Sequence, residues 1–483
     1  MVQMPKLKLL IATVFVGGQS VMSAIATDGS GGEADDAAEI KALKQQVEAL
    51  LQRVNALEQQ HGQSGVTNLA LNKRQEPATN LAQSKIILGA NGLSFSSADT
   101  NVVVQLHGVI QLDSRTFFAD HGAKGVDGFL LRRARPILSG TVYRVFDYNL
   151  TPDFGGSTVQ IPDAYVTCRY APEFQIQVGK FKSPIGLEHL QSDRDLSFNE
   201  RSLATDLVPN RDLGLLLKGD LADGAISYAV GLLDGAPDYN ATTTNTCTQN
   251  DQAFVARAFF QPWKNSEMKA LQGLGFGLAG SYELDDPATN SAIALTPGYT
   301  TDGQQKFFTY NKNVYADGRH WRVSPQACYY NGPFGLLGEY VISDQRVSSG
   351  ATGGAKRVEA SNRAWEISGS WLLTGEDATY GAVSPRQNFD PRAGHWGAWQ
   401  LVARYAELTV DDNVFTRGLA DPAKSASGAQ AWALGLNWYL NKAIRANLSF
   451  SRTTFNGFPG ATVPGTVSFQ PENVLFSRVQ LAF

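Results

Sequence analysis

The amino-acid sequence predicts an all-β protein, a transmembrane antiparallel β-barrel of about sixteen strands. From Asn101 to Phe483 the chain repeats segments of about ten residues with alternating character, separated by turns rich in Gly, Asn, Asp and Pro. Charged residues make up only 18% of the chain, and aromatic residues make up 10%. Beyond the N-terminus no run of about 18 apolar residues occurs, so spanning helices are not expected.

The first 26 residues predict a secretory signal peptide, residues 1–26. Lys6 and Lys8 form a positive region, and the apolar stretch from Leu9 to Val16 is too short to span a membrane as a helix. Ala24, Ile25 and Ala26 form a small-residue cleavage site. We therefore expect the chain to be exported and residues 1–26 to be removed.

Three segments precede the barrel. Residues 27–38 are small and acidic and are expected to be flexible, whereas residues 39–60 predict a short periplasmic coiled coil. Its apolar positions alternate in spacings of three and four: Ile40, Leu43, Val47, Leu50, Val54 and Leu57. About three heptads are too few for a stable isolated helix. The residues at the apolar positions favour a dimeric coiled coil, but attachment to a trimeric pore would impose a trimer. The alternative to a coiled coil is an amphipathic helix that lies on a surface. Residues 61–100 are expected to link this segment to the barrel at 101–483.

Each predicted strand has one apolar and one polar face. In the first strand, Val102, Val104 and Leu106 alternate with Gln105 and His107. A soluble β-sandwich would also alternate, but Trp and Tyr near the strand ends favour a membrane interface. The chain ends on Phe483, on the same face as Val479 and Leu481. An apolar alternating strand that ends in Phe is typical of bacterial outer-membrane barrels.

The polar faces carry arginines that would line the barrel interior. Lipid-facing arginine at mid-bilayer would cost about 2–4 kcal/mol, so alternation predicts that these residues face the lumen. They are Arg115, Arg133, Arg135, Arg257, Arg322, Arg404 and Arg478. Arg132 has the opposite parity near a strand end. The alternative for each arginine is a structural ion pair with an acid such as Asp113, Asp163 or Glu339.

The segment from Ser183 to Asp212 predicts a long loop that folds into the lumen and narrows it. It alternates cations and anions: Lys180, Lys182, Arg194, Arg201 and Arg211 against Glu188, Asp193, Asp195, Glu200, Asp206 and Asp212. Lys180 and Lys182 share the parity of Ile176 and Val178, which face lipid in this assignment. Either a β-bulge shifts the register or these lysines lie beyond the membrane at the start of the loop. A solvated outer loop is the alternative.

Several function classes are disfavoured. The net charge of −4 argues against nucleic-acid binding. The histidines form no HExxH motif and no GxSxG motif occurs, so no metal, cofactor or catalytic residue is expected. The six histidines are His61, His107, His121, His189, His320 and His395. The cysteines are too few for a disulfide scaffold and match no metal motif: Cys168, Cys247 and Cys328.

A run of motifs resembles one known family. In order they are RRAR at 132–135, DAYV at 163–166, VGKFKSPIGLE at 178–188, NERS at 199–202 and PNRDLG at 209–214, followed by WLLTGED at 371–377 and GHWGAWQLVARY at 394–405. With them, residues 130–219 closely resemble the phosphate-selective porin O and P family. This resemblance implies a sixteen-stranded, trimeric outer-membrane porin with an anion-selective lumen lined by Arg and Lys. The implied substrates are phosphate, pyrophosphate or polyphosphate.

A porin would contact outer-membrane lipid and lipopolysaccharide, and its selectivity would depend on fixed cations. Arginine suits phosphate because its planar fork binds two oxygens at once and stays charged. The candidate anion-binding residues are Arg115, Arg133, Arg135, Lys180, Lys182, Arg194, Arg201, Arg257, Arg322 and Arg404. The alternatives are a general or sugar-type diffusion porin, which stacked lumen aromatics would favour, an outer-membrane barrel enzyme, and a structural tether to the cell wall.

Overall fold

A computed structural model describes residues 84–89, 92–118, 125–156, 158–238, 252–285, 298–350, 357–459 and 470–483. The predicted signal peptide, the flexible segment 27–38 and the coiled coil over 39–60 lie outside the described residues. Two short strands, β1 (Lys85–Gly89) and β2 (Gly92–Ser96), form a hairpin in the segment that was predicted to precede the barrel.

The remaining strands follow in chain order. They are β3 (Val102–Phe117), β4 (Gly128–Val142), β5 (Phe146–Asp153), β6 (Gln160–Ala171), β7 (Phe174–Lys182), β8 (Arg211–Leu221), β9 (Ile226–Leu233), β10 (Ala253–Phe260), β11 (Leu274–Asp285), β12 (Tyr299–Thr300), β13 (Lys306–Phe308), β14 (Val314–Asn331), β15 (Phe334–Ser349), β16 (Arg357–Leu372), β17 (Ala398–Thr409), β18 (Gly428–Tyr439), β19 (Ile444–Asn456) and β20 (Glu472–Ala482). The helices are short: α1 (Leu187–Leu190), α2 (Asp412–Thr416) and two 3₁₀ turns, Leu203–Leu207 and Lys269–Leu271.

Sixteen of these strands close into an antiparallel barrel. Strands β3 to β11 and β14 to β20 each pair with the next, and β20 pairs back with β3. The closing seam is held by Arg478 and Asp113, which are register partners and form a bidentate ion pair at 2.6 and 2.7 Å. Phe483 extends the seam through two backbone hydrogen bonds with Gly108, at 2.8 and 3.0 Å. The prediction of a barrel of about sixteen strands is confirmed.

The two ends of the barrel differ in their connections. Turns such as 143–145, 172–173 and 332–333 join strands at the end that carries both the start of β3 and the C-terminus. Most longer connections, 183–210 among them, lie at the opposite end, whereas the connection 373–397 lies beside the short turn 332–333. Short turns mark the periplasmic end of outer-membrane barrels, and long loops mark the outer end. None of the described helices is long and apolar enough to cross a membrane.

The predicted alternation appears as an apolar outer face and a polar inner face. Val178, Leu215 and Leu232 are neighbours in register across β7, β8 and β9, and each is about half exposed. Near the periplasmic end, Trp399 and Trp438 are register partners with stacked rings 5.0 Å apart. Such surface aromatic pairs are typical of the membrane–water interface.

One side of the barrel interior is filled. The connection that contains β12 and β13 packs with the inner loop against the inner faces of β14 to β18. Buried side chains including Leu203, Leu207, Phe307, Phe308 and Val341 form this core. The open space therefore lies beside β3 to β10, and that side carries the candidate site.

Candidate functional site

The inner loop, residues 183–210, turns into the barrel after β7. Its first helical turn is held by the wall: the Glu339 carboxylate accepts hydrogen bonds from the backbone N–H groups of Leu187 at 2.6 Å and Glu188 at 3.1 Å. Arg404 on β17 forms an ion pair with the Glu188 side chain at 2.9 Å. These contacts satisfy buried backbone donors that would otherwise destabilise an inward loop.

Asp193 of the inner loop contacts four arginines, and we call these five residues the Asp193–arginine cluster. Asp193 forms ion pairs with Arg201 at 2.5 Å, Arg133 at 3.5 Å, Arg211 at 3.6 Å and, at shorter range, Arg135. Burial opposes ionisation of Asp193, but Arg133, Arg201 and Arg135 outweigh it and hold its pKa well below the ordinary value. The carboxylate is therefore ionised at neutral pH.

The barrel wall supplies two further acids to this cluster. Asp153 binds Arg135 at 2.6 Å, and Asp163 lies 3.5 Å from Arg211. Four guanidiniums thus face three carboxylates, so this part of the lumen is positive on balance.

Two cavities meet at this cluster. The outer cavity has a volume of about 510 Å³ and the inner cavity about 620 Å³. Arg135 and Arg211 line both cavities, Arg133 and Arg201 line the outer one, and Asp193 lines the inner one. The Asp193–arginine cluster therefore lies where the two cavities adjoin.

The outer cavity contains a second charged group around Glu200. Its carboxylate binds Arg132 at 2.6 and 2.8 Å and Arg115 at 2.9 Å. Burial opposes ionisation, but Arg132 and Arg115 hold the pKa of Glu200 well below its ordinary value.

Arg132 was predicted to have the opposite parity to Arg133, yet its guanidinium reaches the lumen. The register between β3 and β4 shifts at this point, because Gln111 pairs with Arg133 whereas Leu112 pairs with Leu131. Arg132 is the extra residue of a β-bulge, which redirects its side chain. No motif in the sequence predicts this bulge, so alternation alone does not place Arg132 in the lumen.

The two lysines at the end of β7 differ. Lys182 is the last residue of the strand, and its ammonium donates to the carbonyls of His189 at 2.9 Å and Gln191 at 2.7 Å. It lines the inner cavity. Lys180 is buried and is absent from the described lining of both cavities. Gly179, with φ 129°, breaks the regular strand geometry between Val178 and these lysines.

Three further cations line the inner cavity. The Arg194 side chain is 42% exposed and lies 3.4 Å from Asp195. Arg257 donates to the Gln326 amide at 3.2 Å and lies over the Phe259 ring. Lys218 donates to Gln177 at 2.6 Å and was not among the predicted residues, although polar-face parity on β8 could have identified it.

Arg322 and Arg404 lie elsewhere. Arg322 is 1% exposed and pairs with Asp238 at 2.7 Å and Glu283 at 3.0 Å. Arg404 pairs with Asp302 at 3.0 Å in addition to its contact with the inner loop. Both face the interior as alternation predicts, but among the described residues neither lines a cavity. They anchor connections that fold into the barrel.

This architecture defines a class of protein. A closed sixteen-stranded barrel with an apolar outer face, a polar lumen and an inward loop is the architecture of an outer-membrane porin. The sequence profile of the phosphate-selective porin O and P family matches residues 104–462. This chain belongs to that family, and it is a channel of the outer membrane.

Two relatives illustrate the similarity. The chain is 23% identical over 393 residues to Porin O of Pseudomonas aeruginosa, a match that covers 76% of this chain and 86% of that protein. The fold is similar to the crystal structure of the outer-membrane channel DcaP of Acinetobacter baumannii, with a TM-score of 0.51 and 13% identity over 82% of this chain and 100% of that one.

Proposed function

We propose that this porin conducts anions and that the Asp193–arginine cluster selects them. The observation that carries the proposal is that Arg135 and Arg211 line both cavities. An ion that crosses from the outer to the inner cavity passes these two guanidiniums. Cations are repelled there, and anions are attracted.

We further propose that the permeant anions are phosphate, pyrophosphate or polyphosphate. The outer cavity is lined by several guanidinium groups, whose N–H donors converge on it: those of Arg115, Arg132, Arg133, Arg135, Arg201 and Arg211. An oxyanion with several acceptor oxygens can satisfy more than one of them, whereas chloride is a single small acceptor.

The cations continue on both sides of the cluster, which suits a chain of phosphates. Arg115 and Arg132 stand on the outer side, and Lys182, Arg194 and Lys218 stand on the inner side. Several phosphates of one polyphosphate could contact successive cations. Affinity at each position must stay moderate, because an anion that binds too tightly blocks its own exit. The acids that pair with these arginines weaken anion binding and so keep the affinity moderate.

A sugar-type diffusion porin is the second candidate. Tyr165, Phe181 and Tyr228 line the inner cavity, where the first two rings make an edge contact at 6.3 Å. Aromatic faces are suited to stack on sugar rings. No Phe, Tyr or Trp side chain belongs to the described lining of the outer cavity, and the residues that line both cavities are the arginines Arg135 and Arg211, so anions remain the better proposal.

Planar-bilayer recordings test the two candidates. In a potassium chloride gradient the reversal potential should show anion selectivity, and added phosphate should reduce the chloride current. Arg135→Gln and Arg211→Gln should each weaken phosphate block about tenfold or more, since a charged hydrogen bond contributes about 1.5–3 kcal/mol. Arg319→Gln is the matched control, because Arg319 is an exposed arginine paired with Glu359 at 2.7 Å and lines neither described cavity.

Cation selectivity of the unmodified channel, or phosphate block that Arg135→Gln and Arg211→Gln leave unchanged, would contradict the proposal. Block by a maltooligosaccharide without block by phosphate would favour the sugar-type porin instead.

The assembly is also a proposal. We propose a homotrimer whose barrels contact outer-membrane lipid and lipopolysaccharide through their apolar faces. The heptad pattern at 39–60 supports a helical association of the N-termini in the periplasm.

A further inference from the structure

A second group of buried ionisable side chains lies in the barrel wall away from the two cavities. Glu283 and Asp285 lie on β11, and His320 lies on β14, where it is the register partner of Glu283. All three are at least 95% buried. Each of the three side chains offers one potential ligand atom, and these three atoms lie within 4.8 Å of one another. None of the three belongs to the described lining of either cavity.

The hydrogen bonds around His320 leave one ring nitrogen as an acceptor. The Ser343 hydroxyl donates its only proton to Asp238 at 2.6 Å, so its oxygen accepts from His320 Nε2 at 2.9 Å. Nδ1 of the neutral ring then carries a lone pair, and Arg322 approaches it as a donor at 3.3 Å. Nδ1 also lies 2.9 Å from a carboxylate oxygen of Glu283. Arg322 donates to both of these atoms, and a proton or a metal ion between them would explain a contact as short as 2.9 Å.

The charges of the side chains in this group also favour a bound cation. Three carboxylates, Asp238, Glu283 and Asp285, surround one guanidinium, that of Arg322. One guanidinium cannot balance three ionised carboxylates, and a divalent cation bound by Glu283 and Asp285 would balance the remaining two charges. Glu283 Oε2 is buried and has no hydrogen-bond partner among the residues that the structure describes, so it is available as an oxygen ligand.

We propose that Glu283, Asp285 and His320 bind a divalent transition-metal ion of the Zn²⁺ type. One imidazole nitrogen and two carboxylates form a mixed set that suits such ions, whereas Ca²⁺ and Mg²⁺ prefer oxygen ligands alone. Metal-bound histidines usually donate their second N–H to a fixed acceptor, and Ser343 has that position here. The ion would join β11 to β14 and, through Ser343, to Asp238 of the connection after β9.

The test uses the full-length porin in detergent, stripped with EDTA and then titrated with Zn²⁺ alone. We expect one tightly bound Zn²⁺ per chain by mass spectrometry of the metal content, a raised melting temperature, and retention of Zn²⁺ in excess Ca²⁺. His320→Asn and Glu283→Gln should abolish this binding. Ser343→Ala, a small change beside the ligand, should weaken it about 10- to 100-fold.

His395→Asn is the matched control, since His395 lies on the connection between β16 and β17, remote in sequence from the group. It should retain one Zn²⁺ per chain. Absence of stoichiometric Zn²⁺ in the unmodified protein would overturn the proposal and assign the contact between His320 and Glu283 to a shared proton. Displacement of Zn²⁺ by Ca²⁺, or unchanged affinity in Ser343→Ala, would also overturn it. Chloride conductance should be the same in all these variants that fold, so the outcome is independent of the proposed anion selectivity.

Discussion

Under the proposed function, Asp193 occupies the position among four arginines that a permeating anion would take. It would then act as a tethered carboxylate, and a phosphate at the Asp193–arginine cluster would compete with it for N–H donors. The substitution Asp193→Asn keeps the shape of the side chain and removes its charge. The amide oxygen can still accept the hydrogen bond that Arg201 donates at 2.5 Å. The effect on an anion should therefore be mainly electrostatic.

The size of the effect follows from Coulomb's law. A phosphate about 8 Å from the carboxylate is repelled by about 0.5 kcal/mol per unit charge in water and about 2 kcal/mol at an effective dielectric constant near 20. Removing that repulsion should tighten phosphate block by about 2- to 30-fold. The maximal phosphate current should fall at the same time, because a more tightly held anion leaves more slowly.

The substitution leaves four arginines without their shared carboxylate, and breaking buried ion pairs can cost about 3–5 kcal/mol. The inner loop is also held by Glu339 and Arg404, so the barrel should still fold. Retained heat-modifiable mobility on gels would verify this.

The assay is block of single-channel chloride current by phosphate in planar bilayers, with Asp195→Asn as the matched control. Asp195 is on the same loop, but its ion pair is with Arg194 at 3.4 Å, outside the Asp193–arginine cluster. Equal or weaker phosphate block in Asp193→Asn than in the unmodified channel would refute the reasoning. Equal effects of the two substitutions would show that the response depends on loop charge in general and not on the cluster.

Three further predictions concern pH, insertion and assembly. Because the folded-state pKa values of Asp193 and Glu200 are lowered, their stabilisation is complete above the unfolded values of about 4 and is lost only as pH falls through the lower folded values. Asp193→Asn and Glu200→Gln should therefore each change the reversal potential in chloride by the same amount at pH 8 and at pH 5, and an effect that disappears within that range would contradict this assignment. Phe483→Ser should sharply lower the amount of protein in the outer membrane without changing single-channel conductance, because it removes the ring that packs on Gly108 at the closing seam. Normal protein levels with altered conductance would show that Phe483 acts in conduction and not in assembly. Deletion of residues 39–60 should lower the yield of trimer on gels and leave the barrel folded, and an unchanged trimer yield would assign the heptad segment another role.

The sequence by itself determined the class of fold and the face of most strands. A strand in a bilayer needs an apolar side chain at every second position, so the pattern is local and can be seen within ten residues or so. The same parity correctly placed Arg133 and Arg135 on the inner face. The inward loop was also predictable in outline, because a long charged segment follows a strand that runs toward the outer end.

Only the tertiary structure decided which arginines line the two cavities and which anchor connections that fold into the barrel. Asp193 is 58 residues from Arg135 in the chain, and Glu200 is 85 residues from Arg115, so no local pattern relates the partners. Arg322 and Arg133 both lie on the polar face of a strand, yet Arg322 is enclosed by Asp238 and Glu283 whereas Arg133 lines a cavity. The bulge at Arg132 and the core that fills one side of the barrel likewise arise from contacts between distant segments. Alternation specifies the direction of a side chain, but the charge that it meets depends on how loops far apart in sequence pack inside the closed barrel.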